Sequence, residues 1–403
     1  VNTRTAEAPG RVGDVRRRNL ALVLGRLGPE AVATRADIAA ATGLTKASVS
    51  SLVADLLETG LVEELGVTRA GERGRPGVGL SLSARRGALG AEVNVDYLAV
   101  GVVDLHGALR FHEIAERLNH GRPTQEVLAE LAALTARATQ AAGAEGIELL
   151  GGGLAVPGLV DPDRGRVLTA PNLGWRGASL GQALDALAPG APYGVVLTNE
   201  ANSAALAELW YGRGAELGDY LYISGEVGVG GGLVMGSELF AGPGGNAGEV
   251  GHMVVAPGGE RCSCGGRGCL ETVAGQDAIL AAAGIPADAG ESAAARIAAL
   301  ASALAAGDAR ALDAVGRAGG ALAVAVVGAA RLVDLSAAVL GGHFAALREW
   351  IEPALAAALD DLAPGLLAPG AIAFSDLGTT AALRGAAGAA LRRALGAPHV
   401  LLP

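Results

Sequence analysis

The chain has 403 residues, enough for two or three domains and a sizeable core. Half of them are apolar, yet no uninterrupted apolar run reaches the ~20 residues of a membrane span, the longest candidate being residues 319–330, and no secretory leader opens the sequence; this favours a cytoplasmic protein without membrane association. The net charge of −10 hides an asymmetry, because residues 1–86 carry +4 and the remainder −14, as expected when only a small basic domain meets a polyanion.

Residues 1–86 read as a winged helix-turn-helix. A first helix spans about residues 15–27, opening with Arg16, Arg17 and Arg18 and turning Leu20, Leu22, Val23, Leu24 and Leu27 inward. A second follows Thr34, with Asp37 completing a capping box, and stops at Gly43. Thr45 then caps a third helix, in which Val49, Leu52, Val53, Leu56 and Leu57 repeat at helical spacing. Its outer side shows Lys46, Ser48, Ser50 and Ser51, small polar and basic groups of the kind a recognition helix brings to base edges and phosphates. Residues 61–64 and 78–82 form a hairpin, and the intervening Gly-rich loop carries Arg73 and Arg75 as a basic wing. Thr45, Lys46, Ser48, Ser50, Ser51, Arg73 and Arg75 are therefore the candidate DNA contacts.

Beyond Arg86 the texture becomes α/β. Residues 90–95, 98–105 and 109–114 read as consecutive strands, followed by a helix over 124–142 and a buried strand over 147–156. A strand over 194–198 runs into a helix over 200–210, and a strand over 221–224 leads into a glycine-rich hairpin. No internal repeat is clear.

All three cysteines fall in Cys262-Ser263-Cys264-Gly265-Gly266-Arg267-Gly268-Cys269, with His252 upstream and Glu271 two residues downstream. Cys262 and Cys264 are too close to pair easily as a disulfide, and three cysteines leave one over. Three thiolates and an imidazole suit a tetrahedral zinc, so His252, Cys262, Cys264 and Cys269 are the candidate metal ligands. Glu249 and Glu271 flank them, which places a polar binding site beside the metal.

Six motifs in order carry a resemblance that spans nearly the whole chain: Val156-Pro157-Gly158-Leu159-Val160-Asp161, Ala170-Pro171-Asn172-Leu173-Gly174-Trp175, Asn199-Glu200-Ala201-Asn202, Gly228-Val229-Gly230-Gly231-Gly232, Ala247-Gly248-Glu249-Val250-Gly251-His252, and the cysteine cluster ending at Glu271. The chain resembles the ROK family of repressors and sugar kinases, and its longer DNA-binding members in particular. The resemblance implies a two-lobed, actin-like α/β body of RNase H type behind the winged helix. It implies residues 1–86 as the DNA-binding domain, 87–198 as lobe I joined by the C-terminal helix 378–403, and 199–377 as lobe II with the zinc site. It also implies that Asn199, Glu200, Glu249, His252 and Glu271 bind a sugar or sugar phosphate in the interlobe cleft.

Kinases of this family carry an acidic residue followed by Gly-Gly-Thr in the first strand, a Gly-Thr before the second glycine loop, and a catalytic Asp. Here the corresponding residues are Glu92-Val93-Asn94-Val95-Asp96-Tyr97, Glu226-Val227 and Glu200. Carboxylates in place of glycines repel a polyphosphate, and Glu200 moves the base by more than ~1 Å. The expectation is a sugar-responsive regulator, a repressor without enzyme activity, binding operator DNA as a homodimer or homotetramer; the alternative is an active sugar kinase with an appended DNA-binding domain.

Overall fold

The computed structural model describes residues 12–28, 31–68, 77–286 and 292–402. Its N-terminal module contains α1 (Val12–Leu24), β1 (Ala33–Thr34), α2 (Arg35–Thr42), α3 (Lys46–Glu58), β2 (Val62–Thr68) and β3 (Gly77–Leu82), with strand order β1-β3-β2. The capping box forms as expected: the Asp37 N–H donates to Thr34 Oγ1 at 3.3 Å, and the Thr34 N–H to Asp37 Oδ2 at 2.9 Å. α1 starts and ends three residues earlier than expected. Leu20, Val23, Leu24 and Leu27 are buried, but Leu22 faces solvent, because a helix cannot turn both 22 and 24 into one core alongside 20 and 27. The wing residues Arg73 and Arg75 lie outside the described residues.

The next segment comprises β4 (Arg86–Val93), β5 (Tyr97–Asp104), β6 (Leu109–Glu116), α4 (Thr124–Ala144), β7 (Glu148–Val156), β8 (Leu159–Asp161), β9 (Arg166–Ala170), β10 (Trp175–Ser179), α5 (Gly181–Leu187) and β11 (Val195–Asn199). Strands β8, β9 and β10 make a small antiparallel sheet, and the main sheet has the order β11-β7-β4-β5-β6. After α6 (Glu200–Tyr211) and α7 (Gly214–Leu217) come β12 (Tyr220–Gly225), β13 (Val229–Met235), β14 (Glu238–Leu239), α8 (Glu271–Ala274), α9 (Gln276–Ala283), α10 (Ala293–Ala305), α11 (Ala309–Val333), β15 (Ala337–Gly342), α12 (His343–Ala346), α13 (Arg348–Leu362), β16 (Ile372–Phe374) and α14 (Ala381–Gly396).

The second main sheet has the order β14-β13-β12-β15-β16. In both sheets the first strand is central, with two successive antiparallel pairings on one side of it and two successive parallel pairings on the other. The two halves therefore repeat one topology that the residues themselves do not reveal.

Helix α14, last in sequence, packs on β4 and β7 of the first sheet and crosses α6. Those central strands are buried on both faces, by α4 and α14, which is why they run through Gly and Ala rather than alternating with polar residues. A Cβ at Gly90 or Gly153 would stand 2.1 Å from Leu383 O or 2.0 Å from Ala386 O, so the helix backbone rests directly on the sheet. The winged helix shares a hydrophobic core with this layer: Leu20, Val23, Leu24, Leu80 and Leu82 cluster with Ala387, Ala390, Leu391 and Ala394 of α14.

Helix α11 differs from the expectation of no membrane-length segment. At 25 residues it is long and apolar enough, by length and composition, to span a bilayer, because Arg310, Asp313 and Arg317 interrupt its apolar run without ending the helix. Half of its apolar window is buried, packed against α9 and α13.

Candidate functional site: an acidic cleft beside a cysteine-histidine cluster

Between the two sheets a cleft of about 130 Å³ is walled by the Pro157-Gly158 turn, Asn172, the start of α6 and the Gly228–Gly231 strand, with Glu249, His252, Ser263 and Glu271 at its edge. Among the described residues four carboxyl groups line it, those of Glu200, Glu226, Glu249 and Glu271, and no Lys or Arg does.

The metal-type cluster sits at one end. All three thiols are free, and Cys262 Sγ lies 3.5 Å from His252 Nδ1, Cys264 Sγ 3.7 Å from Cys269 Sγ, with all four ligand atoms within 4.8 Å of one another. Zinc bonds of about 2.3 Å to sulfur and 2.05 Å to nitrogen at tetrahedral angles require edges of about 3.8 Å between sulfurs and 3.5 Å between sulfur and nitrogen. The 3.5 and 3.7 Å contacts match two of these edges, and with all four ligand atoms within 4.8 Å of one another the cluster could hold a metal ion. The Gly266 N–H points at Cys264 Sγ from 3.4 Å, and this contact leads the causes that hold the Cys264 thiol below its ordinary pKa. With Nδ1 turned to Cys262, His252 Nε2 faces Glu249, 3.9 Å away.

Glu271 begins α8 and uses both oxygens. Oε1 accepts from Ser263 Oγ at 3.3 Å, and Oε2 from the Val229 N–H at 3.3 Å. A Cβ at Gly228 would come within 2.2 Å of that Oε2, so the glycine loop is what lets the carboxylate into the cleft. Glu249 is exposed and available. Asn199 lines the cleft, but its amide is already engaged: as N-cap of α6 its Oδ1 accepts from the Asn202 N–H at 2.9 Å, and its Nδ2 donates to Gly158 O at 2.8 Å. It shapes the cleft by fixing a turn to a helix start.

Glu200 faces inward, accepting from Asn94 Nδ2 at 3.0 Å. There it joins Glu92, which takes the Tyr97 O–H at 2.7 Å, and Glu226. Burial, before any other cause, drives all three carboxyls upward: Glu92 to about 7, Glu226 to about 8 and Glu200 well above its ordinary range, with mutual repulsion adding to the last two. Glu92 is 1 % exposed and its Oε2 has no partner among the described residues. The resemblance had set Glu92, Glu200 and Glu226 around one kinase-type site, but their direct clustering, and the presence of Asn172 and Ser263 in the cleft, are not evident from the sequence; only the motifs that contain Asn172 and Ser263 hinted at the latter.

On the N-terminal module, Thr45, Lys46, Ser48, Ser50 and Ser51 are all exposed on α3 and its cap. Thr45 Oγ1 and Ser48 Oγ bond each other at 2.9 Å, and Ser51 Oγ accepts from Arg16 at 3.3 Å, with Arg16 also paired to Asp55.

Residues 88–393 match the ROK family and residues 19–75 the MarR family. The chain is 34% identical over 263 residues to the xylose repressor of Caldicellulosiruptor bescii, an alignment that covers 65% of each protein. It is 32% identical over 272 residues to the xylose repressor of Bacillus subtilis, covering 66% of this chain and 68% of that one, and 31% identical over 276 residues to the transcriptional dual regulator NagC of Escherichia coli, covering 67% and 65%. The chain thus spans just under two thirds of the length of the first of these relatives. Among solved structures, a ROK family transcriptional regulator homologous to the E. coli MLC protein superposes with a TM-score of 0.77 at 25% identity, over 96% of this chain and 98% of that one. A ROK glucokinase from Streptomyces griseus, in complex with glucose and AMPPNP, gives 0.64 at 28% identity over 76% of this chain and 99% of that one. The chain belongs to the ROK family and carries a MarR-type winged helix in front of its ROK body.

Proposed function

We propose that the protein is a sugar-responsive transcriptional repressor that acts in the cytoplasm and binds operator DNA through residues 1–86, and that its effector is a neutral sugar rather than a sugar phosphate. The observation that carries the effector's class is the lining of the cleft, four Glu side chains, two of them held protonated near neutral pH by burial, and no Lys or Arg among the described residues. Carboxyl groups and an imidazole accept from and donate to neighbouring hydroxyls, whereas a phosphate dianion there would find no cationic side chain among the described residues to offset its charge. Repressor names among the relatives, and a ROK regulator that superposes along almost the whole chain, support the regulatory half of the reading.

Zinc is the ion that His252, Cys262, Cys264 and Cys269 would hold. When bound it contributes folding free energy to the loop and fixes the imidazole. His252 then presents Nε2 to the cleft, between Glu249 and the sugar. Lobe I comprises residues 87–198 with α14, and lobe II residues 199–377. Effector contact with Glu200 acts on α6, α6 on α14, and α14 on the core of the winged helix. Two such domains in a homodimer or homotetramer meet half-sites spaced by ~34 Å of duplex, so a small rotation removes one contact.

Phosphoryl transfer is not part of this reading. Asp96 and Glu226 replace residues of the kinases' two phosphate loops, which argues against a bound triphosphate, and Glu200 is held by Asn94 in the acidic cluster it forms with Glu92 and Glu226. Calorimetric titration of the purified chain with D-xylose, N-acetylglucosamine and D-glucose, and with their phosphate esters, tests the proposal alongside operator retention in a gel shift. A neutral sugar binds and releases the operator; binding by the phosphate esters alone, or ATP-dependent phosphorylation of any of these sugars, overturns it.

A further inference from the structure

The three carboxyls that meet behind the sugar cleft come from both halves of the body. Glu92 lies on β4 of the first sheet, with Asn94 and Tyr97 beside it on the turn into β5 and at its end; Ser224 and Glu226 stand at the end of β12 in the second sheet and just past it; Glu200 opens α6. One amide nitrogen, Asn94 Nδ2, donates to Glu200 Oε1 at 3.0 Å and to Glu92 Oε1 at 3.4 Å, so a single side chain joins the first two. Glu226 completes the group from across the interface, with the Ser224 hydroxyl 3.5 Å away, and together they line a cavity of about 20 Å³.

We propose that this cluster is a proton-operated latch: protons on Glu92, Glu200 and Glu226 hold the two halves together, and their loss at alkaline pH frees Glu226 and the second sheet from Glu92 and Glu200.

Neutralisation has few other sources. No Lys or Arg lines the cavity among the described residues. Its volume admits about one water and excludes a hydrated counter-ion. Glu92 is buried and its Oε2 receives no hydrogen bond among the described residues, so its ionised form would be a poorly compensated charge. Glu200 and Glu226 are half-buried, each with one side toward the sugar cleft, and each repelled by Glu92. The surrounding titratable groups add no positive charge. Tyr97 and Tyr222 stay neutral, because burial pushes both phenols up. Asp96 adds negative charge beside Glu226, and the Arg296 that acts on Asp96 is itself paired to Asp277 at 2.9 Å. His343, which packs by Glu226, is kept neutral by burial, with its pKa lowered to about 4.

Closure therefore takes up protons. A carboxyl whose pKa is higher with the halves together than apart favours the closed arrangement fully below about 4.5. That advantage is lost as pH rises through about 7 for Glu92 and about 8 for Glu226. Within this window each proton released on opening shifts the equilibrium about tenfold per pH unit. The layers can part where Ala201 and Ala205 of α6 rest on Gly230 and Gly232 of β13, since no long side chains interlock there. One consequence rests on the effector reading above: a sugar that spans both layers binds with proton uptake, and more weakly as pH rises.

Hydroxyl-radical footprinting of the sugar-free full chain from pH 5 to 8.5, read by mass spectrometry at single tyrosines, tests the latch. Tyr222 is fully buried and lines the cavity, whereas Tyr220, on the same strand and as deeply buried, does not and is the internal control. Tyr222 oxidation rises several-fold across the range while Tyr220 stays protected. Glu92→Gln flattens the rise, because it removes one titrating group and relieves the repulsion on the other two. Constant protection of Tyr222, loss of protection at Tyr220 in step with it, or a rise that Glu92→Gln leaves unchanged overturns the proposal. So does protection at pH 8.5 that appears only with added Mg²⁺ or Ca²⁺, which would put a metal ion in place of the protons. The wild-type comparison of the two tyrosines stands even if the variant fails to fold. With no sugar present, failure here leaves the effector reading intact, and the reverse also holds.

Discussion

Replacing Glu92 by Gln should make the protein more stable at alkaline pH while barely changing it at acidic pH. Glu92 is 1 % exposed, and burial raises its carboxyl to about 7, against the downward pull of Tyr97 and Asn94. A carboxyl whose folded pKa lies above its unfolded value binds its proton more tightly in the folded state. Its contribution is fully present below about 4.5 and is lost as pH rises through about 7. At roughly 1.4 kcal/mol for each pKa unit, ionising Glu92 costs the folded protein on the order of 3 kcal/mol above neutrality. Glutamine is the neutral isostere and does not incur this cost. It also relieves Glu200 and Glu226, both of which are raised in part by Glu92. For a chain of this size the difference amounts to about 3–6 °C in Tm. Differential scanning calorimetry of wild type and Glu92→Gln from pH 4.5 to 8 measures it, because the difference accrues between the unfolded value of about 4.5 and the folded one of about 7, and subtracting the two at each pH cancels titrations that are not coupled to Glu92. The variant should gain progressively with pH. Parallel Tm curves across that window would refute a neutral, buried Glu92.

Three further outcomes are expected. Cys264→Ser should lose bound metal and destabilise the ROK body, measured as zinc per chain by plasma emission together with Tm; wild-type protein purified without stoichiometric zinc counts against the ligand set. Glu249→Gln should weaken binding of a neutral sugar by roughly ten- to a hundredfold by calorimetry, because a charge-assisted hydrogen bond to a hydroxyl contributes roughly 1.5–3 kcal/mol, while operator binding by the sugar-free protein is unchanged. Lys46→Ala should weaken operator binding and reduce the slope of log K against log salt by about one, with sugar affinity intact; an unchanged slope moves the phosphate contacts off the start of α3.

Local chemistry was legible in the sequence, and long-range convergence was not. Thr34 and Asp37 form their capping box, and Cys262, Cys264, Cys269 and His252 come together, because each set closes within a few or a few tens of residues. Asn199 shows the limit of a motif read for ligand contact alone: an Asn directly before a helix is an N-cap first, and capping has consumed the amide expected to face the sugar. Asn94 and Glu200 are 106 residues apart and meet only because two separate sheets bring their strand ends to one cleft. The repeat of strand order between the halves was hidden for a similar reason. Sheet topology is set by which strands pair and in what direction, and β4 and β12 play the same central role with dissimilar residues.

The same packing indicates where movement can occur. Helices α6 and α14 meet backbone to backbone, since a Cβ at Gly385 would lie 1.7 Å from Ser203 O; contact that close leaves no room for one to slide over the other. The two must move together, and α14 carries the core it shares with the winged helix. On its opposite side α6 lies against β13 through Ala201 and Ala205, whose methyl groups rest on Gly230 and Gly232. Small side chains on glycine make a shallow surface without deep interdigitation, and such surfaces permit shear of packed layers. Glu200 stands on the α6 side of that plane, while Glu249, His252 and Glu271 stand on the other with β13. On the proposed function, a sugar held by both sets would set the relative position of the two layers, and the side that contains α6 would carry the displacement to the winged helix. On that reading the effector acts through geometry at the plane between α6 and β13 and needs no contact with the winged helix, which would leave the acidic cleft free to specify a neutral polyol and the basic module free to specify DNA.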